Sequence, residues 1–186
     1  MRIIAGTSGG IPIKVPRDTT RPTTDRVRES IFSSLGTSVI DADVLDLFAG
    51  SGSLGLEALS RGANSAVFID ESRAAAKIIG ENLSKTRLDA AAKVQTMRVD
   101  RFLRGLGSHT AFDLIFADPP YAHDEQKQSI LQNLLLDEKL PEALRPDGVF
   151  VLETCSRIPL PDLGRWTIIR EKIYGETRIS HLTSHP

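Results

Sequence analysis

Three carboxylates stand where apolar runs end. Asp46 comes late in Val44-Leu45-Asp46-Leu47-Phe48, Asp70 closes Ser65-Ala66-Val67-Phe68-Ile69-Asp70, and Asp118 directly follows Phe112-Asp113-Leu114-Ile115-Phe116-Ala117. Runs of this length and composition read as strands, whose last residues lie at the carboxyl edge of a sheet. That is the edge at which open α/β sheets hold ligands. Gly50-Ser51-Gly52-Ser53-Leu54-Gly55 follows the first run. Its glycines permit a tight turn and let backbone approach a ligand where a Cβ would clash. A helical pattern, Leu54-Gly55-Leu56-Glu57-Ala58-Leu59, begins there and offers unpaired N–H groups at its start. The G-x-G-x-x-G spacing alone is shared by dinucleotide enzymes. No Lys-Ser or Lys-Thr pair follows the last glycine, so this is not a Walker A loop. Asp46 narrows the chemistry, because a carboxylate at that place repels a pyrophosphate and suits a ligand with a cationic end. S-adenosylmethionine has an ammonium and a sulfonium. Asp46, Phe48, Gly50, Ser51 and Gly52 are therefore the candidate cofactor loop; the plainer role for Asp46 is a hydrogen bond to the turn.

Asp70 lies 24 positions after Asp46. At the end of a second strand it can accept both hydroxyls of a ribose. It can also cap the helix that starts beyond it, and the two roles can coexist. Asp118 opens Asp118-Pro119-Pro120-Tyr121. Two prolines stiffen this turn and hold the residues before them extended. A rigid loop at a strand end can aim a carboxylate, the Pro119 carbonyl and the Tyr121 ring at one point. Two acceptors and a flat face suit a planar base that carries an exocyclic amine.

The segments between these residues alternate. Strands are expected at 43–48, 65–70, 93–99, 112–117 and 149–153, with helices at 53–61, 72–87, around Phe102-Leu103, and at 126–136 and 138–144. Such alternation implies a mostly parallel sheet with helices on both faces. The chain ends differently: residues 166–173 and 177–182 flank Tyr174-Gly175-Glu176 as a β-hairpin, so one late strand should be antiparallel. Before the first strand, Thr24 or Asp25 can cap a helix with Val27, Ile31, Phe32 and Leu35 on one face, and Gly36 can end it. Residues 1–22 read as an extension and a candidate RNA contact, with short strand candidates at 2–5 and 13–15 around Gly9-Gly10. Residues 23–186 form the main domain.

The 186 residues suit one such domain, which buries roughly 70% of the surface its unfolded chain exposes. No apolar run is long enough to span a membrane, and no signal-peptide core is present. The single cysteine, Cys155, excludes an internal disulfide, fits a reducing cytoplasm, and reads as a small buried residue. Four scattered histidines give no metal-ligand spacing, so no metal is expected. The net charge of −1 is not that of a globally basic protein, but residues 1–36 carry six basic against three acidic side chains. Arg21 lies just before the first helix, and Arg26 and Arg28 lie in its first turn. Positive charge is unfavourable at the positive end of a helix dipole. Its clustering there suggests an anionic partner; Arg–Asp pairs that fix the helix are the alternative.

Taken together, the motifs resemble the bacterial S-adenosylmethionine-dependent rRNA guanine-N2 methyltransferases of the RsmD type. Arg2-Ile3-Ile4-Ala5-Gly6, Arg21-Pro22-Thr23, Asp25-Arg26-Val27-Arg28-Glu29, Asp46-Leu47-Phe48-Ala49-Gly50-Ser51-Gly52, Asp118-Pro119-Pro120-Tyr121 and Tyr174-Gly175-Glu176-Thr177 carry the resemblance over nearly the whole chain. The cofactor and Asp-Pro-Pro-Tyr motifs are shared with other amino-group methyltransferases; the N-terminal segment points to the rRNA group. The resemblance implies a Rossmann-like class I methyltransferase fold with a mostly parallel seven-stranded sheet, a C-terminal antiparallel hairpin and a small N-terminal hairpin and helix extension. It implies methyl transfer to one guanine of 16S rRNA within the small ribosomal subunit or its assembly intermediate, in the cytoplasm, by a monomer. Asp118, Pro119, Pro120 and Tyr121 would be catalytic, with Tyr121 stacking the flipped base. Asp100 would face the adenine of the cofactor, although Arg98 stands where the family's acidic residue is expected. Arg21, Thr23, Arg26 and Arg28 would hold RNA. The rival readings are adenine-N6 methylation of DNA or RNA, and an RNA-binding assembly factor with a residual cofactor site.

Overall fold

The computed structural model describes residues 1–16, 24–107, 110–120 and 125–185. The alternating pattern becomes helix α1 (Asp25–Leu35), strand β1 (Asp43–Leu47), α2 (Ser53–Ser60), β2 (Ser65–Asp70), α3 (Arg73–Thr86), β3 (Ala92–Thr96), α4 (Val99–Arg104), β4 (Phe112–Ala117), α5 (Glu125–Leu135), α6 (Lys139–Glu142), β5 (Leu144–Cys155), β6 (Trp166–Tyr174) and β7 (Thr177–Ser184). The Thr24 side chain caps α1 by accepting from the Val27 N–H. Gly36 ends it at φ 56°, and a 3-10 turn over Gly36–Val39 continues from there.

Two boundaries differ from the expectation by more than two residues. The third strand stops at Thr96 rather than 99, because Val99, Phe102 and Leu103 form a helical apolar stripe and are buried on α4. The fifth strand starts at Leu144 rather than 149. Arg145-Pro146-Asp147-Gly148 is taken up by a register shift between Phe112 and Leu114 on the neighbouring strand. Cys155, expected inside, is half-buried at the end of β5.

The seven strands form one sheet in the order β3-β2-β1-β4-β5-β7-β6. The first five are mutually parallel; β7 runs antiparallel between β5 and β6. Alternation along each strand divides the apolar residues between two faces. Val44, Phe68, Leu114, Phe116, Val151 and Ile179 pack with α1, α2 and α3 on one side. Leu45, Leu47, Ile69, Ile115, Phe150 and Leu152 pack with α4, α5 and α6 on the other. No helix among the described residues is long and apolar enough to cross a membrane.

The N-terminal residues close the first face. Main-chain bonds between Ile3 and Ile11 and between Ile13 and Met1 make a short antiparallel pair, and Ile3 and Ile13 are buried. This pair lies on α2. The buried Glu57 carboxylate accepts the N–H groups of Ile4 (2.7 Å) and Ala5 (3.1 Å) and the Nε of Arg61 (2.7 Å). Gly6 crosses the end of α2 so closely that a Cβ there would lie 1.8 Å from the Ser60 carbonyl oxygen. α2 is consequently buried along its entire length, an unusual condition for a helix carrying a glutamate.

Candidate active site

Strand order reverses at β1, which has β2 on one side and β4 on the other. This is the switch point where parallel sheets open a crevice at their carboxyl ends. The register pairs Leu47 with both Ile69 and Ala117. One step further along the chains, Asp70 and Asp118 flank Phe48. Three strand ends so bring Asp46, Asp70 and Asp118 to the wall of one cavity of about 540 Å³, within the range of small-molecule sites. Phe48, Gly50, Ser51, Pro119, Pro120 and Asp100 also line it.

The glycine loop owes its shape to backbone conformations that side chains resist. Phe48, Gly50 and Gly52 have φ of 56°, 55° and 76°. Gly52 does not line the cavity. It turns the chain into α2, its N–H bonded to the Ala49 carbonyl at 2.7 Å. Gly55 has a different task. A Cβ there would come within 2.4 Å of the Phe68 ring, so the third glycine lets α2 lie directly on β2.

Asp46 is 2% exposed, on the face of β1 covered by α2. Its Oδ2 accepts the Gly55 N–H at 2.9 Å, the turn bond that was the plainer expectation. One backbone bond does not offset the loss of water. Burial first, with the Asp118 and Asp70 charges adding to it, pushes its carboxyl up to about 8, while the Gly55 bond acts the other way. A carboxylate held in this way is stabilised by a cationic ligand. Asp70 is half-buried, and both of its oxygens hold backbone: Oδ2 accepts the Gly50 N–H and Oδ1 the Ser72 N–H, each at 2.8 Å. It therefore braces the glycine loop against the start of α3, where Ser72 is the capping residue. Asp118 is half-buried and Pro119 buried, while Pro120 reaches the surface.

Val99 and Leu103 of α4 and Ile130 and Leu134 of α5 give the cavity apolar lining. Asp100 stands at the rim, where Oδ1 accepts from Arg98 Nε and Oδ2 from Arg104 Nη2, both at 3.0 Å. The Arg98 bond first holds its carboxyl below the usual aspartate range. Arg98, Asp100 and Arg104 form a charged lip.

Of the residues expected at an RNA surface, Arg21, Thr23 and Tyr121 lie outside the described residues. Arg26 is exposed in the first turn of α1. Arg28 corrects the expectation: its side chain is 0% exposed. Nη2 donates to the Arg2 carbonyl and, at 2.9 Å, to Asp25, while Nε and Nη1 are buried without partners among the described residues. Its position in the helix explains the difference. Arg28 follows Val27 on the inward face, so its guanidinium reaches beneath the N-terminal residues instead of out to solvent. Sequence reasoning missed Glu57 and Asn82, two buried polar side chains that attach the N-terminal residues to α2 and α3. The available signal for Glu57 was a charge inside an apolar helical run. For Asn82 it was an amide between Ile79 and Leu83, on the inward stripe of α3.

Comparisons with known proteins agree with this fold. Residues 1–183 match the family model described as Conserved hypothetical protein 95. A Bacillus subtilis protein provisionally named rRNA methyltransferase YlbH is 38% identical over 97% of either chain. Ribosomal RNA small subunit methyltransferase D of Escherichia coli K12 is 37% identical over 95% of this chain and 86% of its own. Among solved structures, an E. coli protein provisionally described as methyltransferase yhhF superposes with a TM-score of 0.81 at 36% identity, covering 99% of this chain and 97% of that one.

Proposed function

The chain belongs to the RsmD-type family of rRNA methyltransferases, and from that premise we propose that it methylates the exocyclic N2 of one guanine in 16S rRNA. The observation that carries the reading is the convergence of Asp46, Asp70 and Asp118 on one cavity at the β1 switch point, beside a loop stiffened by Pro119 and Pro120. The donor set fits S-adenosylmethionine. The buried Asp46 carboxylate is matched to the ammonium group, Asp70 offers acceptors to ribose hydroxyls, and the apolar side chains that α4 and α5 give the cavity suit a flat base. A pyrophosphate would meet three carboxylates instead of a basic group at the same strand ends. When bound, the cofactor supplies an electrophilic methyl group.

The residues of the chain then act on the amine. Guanine N2 is a weak nucleophile because its lone pair is delocalised into the ring. Asp118 and the Pro119 carbonyl accept its N–H bonds and turn the lone pair toward the methyl group. Their rigid loop fixes that orientation before reaction. As positive charge develops on the nitrogen, the Asp118 carboxylate stabilises it. Tyr121 gives the base extruded from its stack a new stacking surface. Arg26, with Arg21 and Thr23, contacts phosphates and sets register. The protein acts as a monomer on the small subunit or its assembly intermediate.

The test is transfer of a labelled methyl group to small ribosomal subunits and, in parallel, to naked 16S rRNA, followed by digestion to nucleosides. Label in N2-methylguanosine supports the reading. Label in N6-methyladenosine would overturn the assignment of the base, and binding of S-adenosylmethionine without transfer to any RNA would favour an assembly factor.

A further inference from the structure

Asn82 sits in the middle of α3 and is completely buried. An amide buried there must find partners, since leaving it unpaired costs several hydrogen bonds' worth of desolvation. It finds them outside its own helix. Oδ1 accepts the Lys14 N–H at 2.8 Å, and Nδ2 donates to the Lys14 carbonyl at 2.9 Å and to the Ser51 carbonyl at 3.0 Å. The side chain pairs with residue 14 as a neighbouring strand would, and its remaining N–H holds the glycine loop. Two further contacts join the same parts. Val15 lines the cavity, and Ser51 Oγ lies 4.0 Å from the Met1 sulfur.

We infer that Asn82 is a positioning residue that couples the cofactor loop to the N-terminal residues, so that filling the cavity and gripping RNA favour one another. This rests on the reading of the cavity and of the N-terminal side given above. The physical basis is the shared amide. Phe48, Gly50 and Gly52 all stand at positive φ, so the loop is conformationally costly to fix. The Gly50 N–H is fixed by Asp70 and the Ser51 carbonyl by Asn82. A ligand that packs on the loop restrains the Ser51 carbonyl further, hence the plane of the Asn82 amide, hence both backbone groups of Lys14. Less of the remaining freedom of the N-terminal residues is then left to lose when RNA arrives. By linkage, RNA held on those residues strengthens cofactor binding by the same factor.

The experiment uses the full chain, S-adenosylhomocysteine and unmethylated small ribosomal subunits. Hydrogen exchange of residues 3–15 is followed with and without S-adenosylhomocysteine, and subunit affinity is measured in both conditions. In the wild type the ligand should slow exchange of these amides and tighten subunit binding by about 5- to 10-fold. Asn82→Asp keeps the volume and one acceptor but turns an oxygen toward the Lys14 and Ser51 carbonyls. It should still bind S-adenosylhomocysteine, with the affinity ratio falling to about one. Lys14→Ala removes the Lys14–Glu81 ion pair and leaves the backbone pairing, so its ratio should remain that of the wild type. If S-adenosylhomocysteine binds the wild type and changes neither exchange nor subunit affinity, the coupling is refuted, and that measurement needs no variant. A wild-type ratio in Asn82→Asp refutes the role of Asn82. Absence of S-adenosylhomocysteine binding to the wild type would sink the cofactor reading itself, and the coupling with it.

Discussion

Asp46→Asn separates what the carboxylate costs the empty protein from what it gives to binding. The side chain is buried beneath the Gly55 N–H, and its carboxyl is pushed up to about 8. At pH 7, roughly nine empty molecules in ten would therefore carry a proton on Asp46. A ligand whose ammonium pairs with Asp46 needs the carboxylate, so binding at pH 7 should release close to one proton. Each unit of pH below 8 should weaken binding about tenfold, or about 1.4 kcal/mol, and the dependence should flatten above 8. Stability of the empty protein follows from the same shift. The folded pKa is raised above the unfolded value, so the advantage of neutral Asp46 is fully present below about pH 4 and is lost as pH rises toward 8. Asparagine keeps an acceptor for Gly55 and never ionises. The stability of Asp46→Asn relative to wild type should therefore increase between about pH 4 and 8 and then stay constant, while its affinity for S-adenosylhomocysteine at pH 8 falls at least tenfold. The assay is calorimetry at pH 6, 7 and 8 in two buffers of different ionisation enthalpy, with urea unfolding at the same pH values. Wild-type binding that releases no proton and has the same affinity at pH 6 and 8 would refute the reasoning.

Three further outcomes are expected. Asp118→Ala should keep the fold and most cofactor affinity yet lose about 10²–10³ in single-turnover methyl transfer to small subunits, because its interaction grows in the transition state; near-normal transfer would remove Asp118 from the mechanism. Arg26→Ala should flatten the salt dependence of subunit binding and leave thermal unfolding unchanged, whereas Arg28→Ala, which empties a buried site and takes one donor from both Asp25 and the Arg2 carbonyl, should destabilise the fold by about 2–4 kcal/mol. Equal effects of the two substitutions on salt slope would contradict the burial of Arg28. Gly55→Ala places a methyl group 2.4 Å from the Phe68 ring and should cost about 1–3 kcal/mol on unfolding, with loss of S-adenosylhomocysteine binding as α2 is pushed off β2; an unchanged melting temperature would show that this packing is looser than described.

What the sequence determined by itself was local and periodic. Apolar runs of strand length, glycine turns and inward-facing helical stripes specify an α/β sheet with one late antiparallel strand, because side-chain alternation and turn chemistry act within a few residues. The carboxylates at 46, 70 and 118 were legible for the same reason: each ends a strand, and parallel strands present their ends together. Tertiary structure decided what depends on partners distant in the chain. Whether Arg28 meets solvent was set by residues 1–5 folding over α1 and α2, and no charge count could show that. Val99 was drawn into a helix by burial against the second face of the sheet, although as a β-branched residue it continues a strand equally well in isolation. Glu57 and Asn82 bond to backbone groups 53 and 68 positions away, and backbone groups leave no mark on side-chain sequence. The burial that raises the Asp46 carboxyl likewise comes from α2 lying on β2 at Gly55, a closeness that exists only once the sheet has formed.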